Sequence, residues 1–156
     1  FKTKFFDPLV MSKSNTTFKG SEAKGDGGQE DYAAFKERTD KIVAQFDGLD
    51  SYGAKVNGKL TVSENVADLG GVACALEAAQ KDSDFSARDF FINFARIWRM
   101  KAREEFMQMM ASIDVHAPAE LRTNVILANF ADFHEEFNIQ SGDKMWRAPE
   151  DRVIIW

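Results

Sequence analysis

Two carboxylates, Glu64 and Asp68, stand four residues apart in the stretch SENVADLGG. On a helix, side chains at i and i+4 lie one above the other, so the two groups would share a face. If Ser63 caps the helix, the helix dipole offsets their mutual repulsion, and one interpretation is a solvated helix start. The other interpretation is a metal site, in which Glu64 binds a divalent ion and Asp68 orients another ligand.

The pair Gly70-Gly71 follows directly and favours the metal site over the solvated helix start. Each glycine inside a helix costs about 1 kcal/mol relative to alanine, so two in succession need a packing reason. We therefore expect another helix, over residues 86–110, to approach this backbone closely.

A second set of candidates lies in DVHAPAELR, which contains Asp114, His116 and Arg122. Pro118 stiffens this segment, and the residue before a proline is biased toward extended backbone. A histidine and an arginine on a stiff turn suit stabilisation of an oxyanion and contact with a peptide carbonyl. The alternative that stays open is a surface loop whose histidine is hydrogen-bonded locally.

The other histidine, His134, begins the sequence HEEFN. This resembles the start of the zinc motif H-E-x-x-H, but Asn138 occupies the place of the second histidine, so the ligand pair is missing. His134 is therefore predicted to be an exposed helix residue.

Helical periodicity predicts the elements that must position these groups. The predicted helices span 30–47, 63–80, 86–110 and 129–137. Asn57-Gly58 lies between short apolar arms and predicts a short hairpin or turn. The predicted fold class is therefore mainly α.

The helix over 86–110 is predicted to begin at Ser86, with Asp89 completing a capping box. Its apolar stripe predicts core packing, and it consists of Phe91, Phe94, Ala95, Trp98, Ala102, Phe106 and Met109. Residues 1–29 are predicted to be an irregular segment and a glycine-rich linker, and 30–156 the folded part. Since the first residue is not methionine, we expect the sequence to begin within a longer protein.

The composition limits the partners of this 156-residue chain, which carries a net charge of −5. It has no run of Lys and Arg, which argues against nucleic acid. No apolar run reaches the roughly 18 residues of a membrane span, which argues against a membrane. A single cysteine, Cys74, forms no internal disulfide and favours a reducing compartment.

The stretch VNGKLTVSENVADLGGVACALEA resembles the neprilysin-like zinc metalloendopeptidases, most closely their bacterial oligoendopeptidase O branch. The family pattern E-N-x-A-D-x-G-G matches at every fixed place. FFINFARIWRMKAREEF, DVHAPAELR and GDKMWRAPEDRVIIW resemble later family segments in the same order. The resemblance covers about 29–156 and implies the helical C-terminal portion of a zincin-type metallopeptidase catalytic domain.

The resemblance also implies roles. Glu64 would be a zinc ligand, and Asp68 would fix a zinc-binding histidine. Asp114 and His116 would act as a pair in which His116 stabilises the oxyanion of the tetrahedral intermediate. Arg122 would contact the substrate backbone. The cofactor of the intact family enzyme would be zinc, and its substrates oligopeptides cleaved by a zinc-activated water.

Two family features are absent from the sequence: the H-E-x-x-H helix and the substrate-binding Asn-Ala-Tyr or Asn-Ala-Phe segment. Only SEAKGDGG stands where the zinc helix would lie. We therefore expect this chain alone to be inactive. The alternative is a truncated homologue acting as an interaction or dimerisation module, a homo-oligomer formed through an uncovered apolar face. The end of the chain, 152–156, lacks the cysteine of animal family members, which favours a bacterial, cytoplasmic protein.

Overall fold

A computed structural model of the protein describes residues 27–155. Residues 35–156 form one compact unit. The predictions for 1–26 lie outside the described residues, so the division at residue 29 stays a prediction. Helices account for most of the described chain: α1 Gly27–Phe46, α2 Gly58–Ala79, α3 Ala87–Ile97, α4 Glu104–Ile113, α5 Ala119–Leu127 and α6 Ala131–Glu136, followed by a 3₁₀ turn Pro149–Asp151. The mainly α fold class is confirmed.

The predicted hairpin is present, but its turn lies a few residues before Asn57-Gly58. Strands β1, Asp50–Ser51, and β2, Ala54–Lys55, pair antiparallel with Asp50 opposite Lys55. The turn is Tyr52-Gly53, and both residues have positive φ, 54° and 84°. That conformation suits the right-handed twist of a two-residue hairpin.

Asn57-Gly58 instead begins α2. The Asn57 side-chain oxygen accepts hydrogen bonds from the backbone N–H groups of Lys59 and Leu60, at 3.0 and 3.1 Å. The prediction that Ser63 caps this helix is therefore wrong, because asparagine is an equally good cap and stands six residues earlier. Glu64 and Asp68 lie on continuous helix beyond the first turn.

The single helix predicted over 86–110 is wrong, because the chain breaks between α3 and α4. Ser86 does cap α3, since its hydroxyl accepts from the Asp89 N–H at 3.2 Å. The charges agree with this break: Arg96 stands in the last turn of α3, while Glu104 and Glu105 open α4. Cations favour the end of a helix and anions its start.

The break resets the helical phase, so the predicted stripe is only partly in the core. Phe91 is buried and Trp98 half-buried, but Phe106 and Met109 are exposed, with Met107 buried instead. The core is formed mainly by apolar side chains of α1, α2 and α5 with the C-terminal segment, among them Ile42, Phe46, Leu69, Val72, Ile126, Leu127, Val153 and Ile155.

The sequence predicted no helix between residues 110 and 129, but α5 begins within this stretch at Ala119, directly after Pro118. The loop after α4 is therefore shorter than predicted. Its main helical neighbour is α2, which places the DVHAPAELR segment against the SENVADLGG segment. Gly71 is exposed, and a Cβ added there would meet nothing within 4 Å, so the expected close approach of another helix to Gly71 is wrong. Among the described residues, no helix is long and apolar enough to cross a membrane.

Candidate functional site

Glu64 and Asp68 present their carboxylates on the same side of α2, toward the segment that carries His116 and Arg122. A Glu64 oxygen, Oε2, lies 3.3 Å from His116 Nε2. Both Asp68 oxygens are bonded to Arg122. The structure thus brings together residues that are about fifty positions apart in the sequence.

Asp114 and His116 form a tight local pair. Asp114 Oδ1 accepts from the His116 backbone N–H at 3.0 Å and lies 2.9 Å from ring Nδ1. A carboxylate only accepts, so the two ring nitrogens, Nδ1 toward Asp114 and Nε2 toward Glu64, are both placed to donate. The backbone and side-chain hydrogen bonds from His116 hold the pKa of Asp114 below its ordinary value.

Arg122 is held by Asp68 and stacked on Trp98. Its Nε donates to Asp68 Oδ2 at 2.7 Å and its Nη2 to Oδ1 at 2.8 Å, a bidentate arrangement. The guanidinium carbon lies 3.8 Å from the centre of the Trp98 ring. Only 15% of the Arg122 side chain and 13% of the Asp68 side chain are exposed, so solvent screens this pair weakly.

A cavity of about 480 Å³ opens beside these residues. Its walls are mainly apolar side chains from α4 and from the segment between α3 and α4, including Trp98, Met100 and Phe106, while His116 and Arg122 supply polar groups. Pockets that are mostly apolar with a few polar groups are typical of ligand sites. The arrangement suits an apolar side chain attached to a group that accepts hydrogen bonds.

His134 is not part of this constellation, and its predicted exposure is wrong. It is buried, with Nε2 2.9 Å from the Ala128 carbonyl oxygen and Nδ1 3.2 Å from Arg152 Nη2. The carbonyl only accepts, so Nε2 carries the proton and Nδ1 accepts from the arginine. Both ring nitrogens are satisfied inside the fold, which makes His134 a structural residue.

The described residues do not by themselves fit a zinc ion. A catalytic zinc takes three protein ligands and an open position. No group of three or more His, Cys, Asp or Glu side chains within residues 27–155 is arranged to hold a metal. Of the two histidines, one contacts Glu64 and Asp114, and the other is enclosed at Ala128 and Arg152.

Trp98 is the site residue that sequence reasoning missed, because its spacing places it in the core stripe of one long helix. The shift from Arg96 and Arg99 to Glu104 and Glu105 was the available signal. It indicates that a helix ends near residue 98 and would have separated Trp98 from the stripe of α4.

Comparison with known proteins places this chain in a family. The model of peptidase family M13 matches residues 13–153. The neutral endopeptidase of Lactococcus lactis subsp. lactis (strain IL1403) is 50% identical over 127 residues, which are 81% of this chain and 20% of that protein.

Two solved structures agree. PEPO from Lactobacillus rhamnosis HN001 has 44% identity and a TM-score of 0.74, with 82% of this chain and 20% of that chain covered. Mycobacterium tuberculosis zinc metalloprotease ZMP1, in complex with an inhibitor, has 29% identity and a TM-score of 0.71, with 80% and 22% covered. The chain therefore spans about a fifth of the length of these relatives. The resemblance to the neprilysin-like endopeptidases is confirmed, and the chain belongs to peptidase family M13.

Proposed function

We propose that this chain is the C-terminal part of the catalytic domain of a zinc metalloendopeptidase that cleaves oligopeptides, and that the chain alone is inactive. The observation that carries the proposal is the joining of Glu64 and Asp68 on α2 to His116 and Arg122. Titratable groups that converge beside an apolar cavity mark a prospective active site.

In this proposal His116 stabilises the oxyanion that develops on the scissile carbonyl. Its orientation is fixed by Asp114, which bonds both its backbone N–H and Nδ1. Donors that are fixed before the reaction stabilise developing charge without a reorganisation cost. Arg122 contacts the substrate backbone from the edge of the cavity, which would receive an apolar substrate side chain.

Glu64 is the one prospective zinc donor among the residues that converge here. Its contact with His116 shows that the two side chains reach the same space. Asp68 would orient a ligating histidine, as carboxylates do around metal sites. The zinc-binding histidines and the general base would have to come from sequence outside this chain, so no turnover is expected from it.

The test compares the chain as it stands with a version in which a family H-E-x-x-H stretch replaces residues 21–28. Cleavage of a quenched fluorescent oligopeptide should stay at background for the first and appear, chelator-sensitive, for the second. Glu64→Gln in the restored version is the matched control and should abolish cleavage. Chelator-sensitive cleavage by the unmodified chain would overturn the proposed inactivity.

One observation favours a second candidate, an interaction module. The solvent side of α4 carries Phe106, Met109 and Ile113, which are 44%, 49% and 64% exposed. Their spacing forms one apolar stripe, and a stripe facing solvent is typical of an association surface.

Light scattering after size exclusion tests this candidate. A homo-oligomer that Met109→Lys and Ile113→Lys dissociate would support it, whereas Ile154→Lys, at another exposed position, should have no effect. A monomer at every concentration would contradict it. The absence of a nucleic-acid or membrane partner and a bacterial, cytoplasmic location stay predictions from the sequence.

A further inference from the structure

Arg122 is restrained from two directions by neighbouring side chains. Two hydrogen bonds to Asp68 lie in the plane of the guanidinium group, at 2.7 and 2.8 Å. The Trp98 ring covers one face, 3.8 Å from the guanidinium carbon. The bonds fix the rotation of the group within its plane, and the stacked ring fixes the tilt of that plane. Neither contact alone would restrain both motions.

We propose that Trp98 and Asp68 are positioning residues that hold Arg122 in one orientation before any ligand arrives. This inference rests on the proposed role of Arg122 in contacting the substrate backbone. It gives Trp98 a role that its place in the predicted helical stripe did not indicate. It also gives Asp68 a role that is separate from orienting a metal ligand.

The donors that remain on Arg122 support the proposal. A guanidinium group has five N–H donors, of which Asp68 takes one from Nε and one from Nη2. Within the described part of the chain, the remaining donors of Nη1 and Nη2 have no acceptor. Arg122 also lines the cavity together with His116. A ligand oxygen there would meet donors with a fixed direction, which reduces the entropy lost on binding.

A second arginine, Arg88, also lies near a carboxylate and an aromatic ring, but at longer distances, and it serves as an internal comparison for Arg122. Arg88 lies 3.9 Å from Glu136 and 5.0 Å from the centre of the Phe137 ring. Its side chain is 59% exposed, against 15% for Arg122. The residue types are similar, but the distances are longer and solvent has access. We expect Arg88 to reorient freely.

The experiment is NMR of the arginine Nε–H groups in the metal-free, peptide-free chain. Arg122 should show a ring-shifted upfield resonance, slow exchange with water and an order parameter close to that of rigid backbone, about 0.85, with Arg88 below the flexible limit of about 0.6. Trp98→Leu should remove the upfield shift and lower the order parameter, and Trp98→Phe should restore both. Asp68→Asn should accelerate exchange. Trp146→Leu is the matched control and should change none of these signals.

An Arg122 order parameter as low as that of Arg88 in the unmodified chain would overturn the proposal, as would an unchanged signal in folded Trp98→Leu. The unmodified chain alone decides the first outcome, so a variant that fails to fold leaves the test intact. The measurement uses neither zinc nor peptide. An ordered Arg122 in the unmodified chain, together with no cleavage by the version with a restored H-E-x-x-H stretch, would therefore refute the proposed function and leave the positioning role standing.

Discussion

At the scale of single residues, two carboxylates hold the cationic or proton-donating side chains of the half-site, the group formed by Glu64, Asp68, Asp114, His116 and Arg122. Asp114 is bonded to His116, and Asp68 to Arg122. The first pair is local in sequence, whereas the second joins α2 to α5 across 54 positions. Asp68 therefore contributes to the fold as well as to the site.

We expect Asp68→Asn to lower the free energy of unfolding by roughly 2–3 kcal/mol, because it leaves a largely buried guanidinium without its counter-charge. The matched control is Glu77→Gln, which removes an i,i+4 pair with Lys81 in which both side chains are about three-quarters exposed. Such surface pairs contribute less than about 0.5 kcal/mol. Urea unfolding measures both variants, and equal effects would contradict the assigned importance of Asp68.

The depressed pKa of Asp114 gives a second prediction. The hydrogen bonds from His116 favour the ionised carboxylate, so they stabilise the fold above the unfolded pKa of about 3.9. This stabilisation is lost as the pH falls through the lowered pKa of the folded state. His116→Ala removes the ring but keeps the backbone N–H at that position. The pKa of Asp114 should therefore rise toward its ordinary value yet remain below it.

A carboxyl ¹³C titration of the unmodified chain and the variant measures this pKa directly. Val115→Ala is a suitable control, because Val115 is exposed and contributes no side-chain hydrogen bond. An unchanged Asp114 pKa in His116→Ala would show that the ring contributes nothing to it.

Sequence reasoning identified Glu64, Asp68 and His116 as candidates because their spacing within short motifs is visible in the chain. The contact between the two segments is shown by the structure. The same reasoning failed for His134 and Trp98. Burial of His134 depends on the Ala128 carbonyl and Arg152, and the position of Trp98 depends on where Arg122 lies. Both are tertiary facts, and the local sequence carries a signal only for Trp98, in the charge change between Arg99 and Glu104.

At the scale of elements, Gly58 and Gly71 of α2 have different surroundings. Gly58 lies where α1 ends: a Cβ at this position would be 2.3 Å from the Val43 carbonyl oxygen and 2.9 Å from the Asp47 nitrogen. Gly71 stands in open space on an exposed part of the helix. Gly58 and Gly71 therefore differ in whether a side chain can be accommodated.

We expect Gly58→Ala to lower the free energy of unfolding by roughly 1–3 kcal/mol, because a backbone atom of α1 and one directly after it must move. Gly71→Ala should raise it by about 0.5–1 kcal/mol, since alanine is the better helix former and meets no obstacle. Thermal and urea unfolding measure both variants, and each variant is the control for the other. A stabilising Gly58→Ala, or a destabilising Gly71→Ala, would contradict the packing described here.

The break between α3 and α4 shows why element boundaries were harder to predict than element types. Residues 98–103 contain neither glycine nor proline, so no conformational signal ends the helix. The indication is electrostatic and weak, a few tenths of a kcal/mol for each charge. The packing of Trp98 against the Arg122 guanidinium is a second, tertiary reason for α3 to end before residue 98. The exposed stripe of α4 is a consequence of this break.

At the scale of the whole molecule, the chain combines an ordered core with an incomplete site. It covers about a fifth of the relatives it matches, yet its core includes α1, α2, α5 and the C-terminal segment. The half-site is organised by contacts that need no metal, namely those of Asp68 with Arg122 and of Asp114 with His116. Stability and metal binding should therefore be independent in this chain.

Zinc titration tests that independence. A ligand that binds only the folded state adds RT ln(1 + [L]/Kd) to the free energy of unfolding, below about 0.1 kcal/mol when its concentration is a tenth of Kd. Because no three His, Cys, Asp or Glu side chains of residues 27–155 are arranged around a metal, zinc should leave the melting midpoint unchanged, and Glu64→Gln should behave identically. In the version with a restored H-E-x-x-H stretch, zinc at a thousandfold excess over Kd should add about 4 kcal/mol. Glu64→Gln should sharply reduce that gain. A zinc-dependent rise in the unmodified chain that Glu64→Gln abolishes would reveal a complete ligand set, formed within the chain or between two copies.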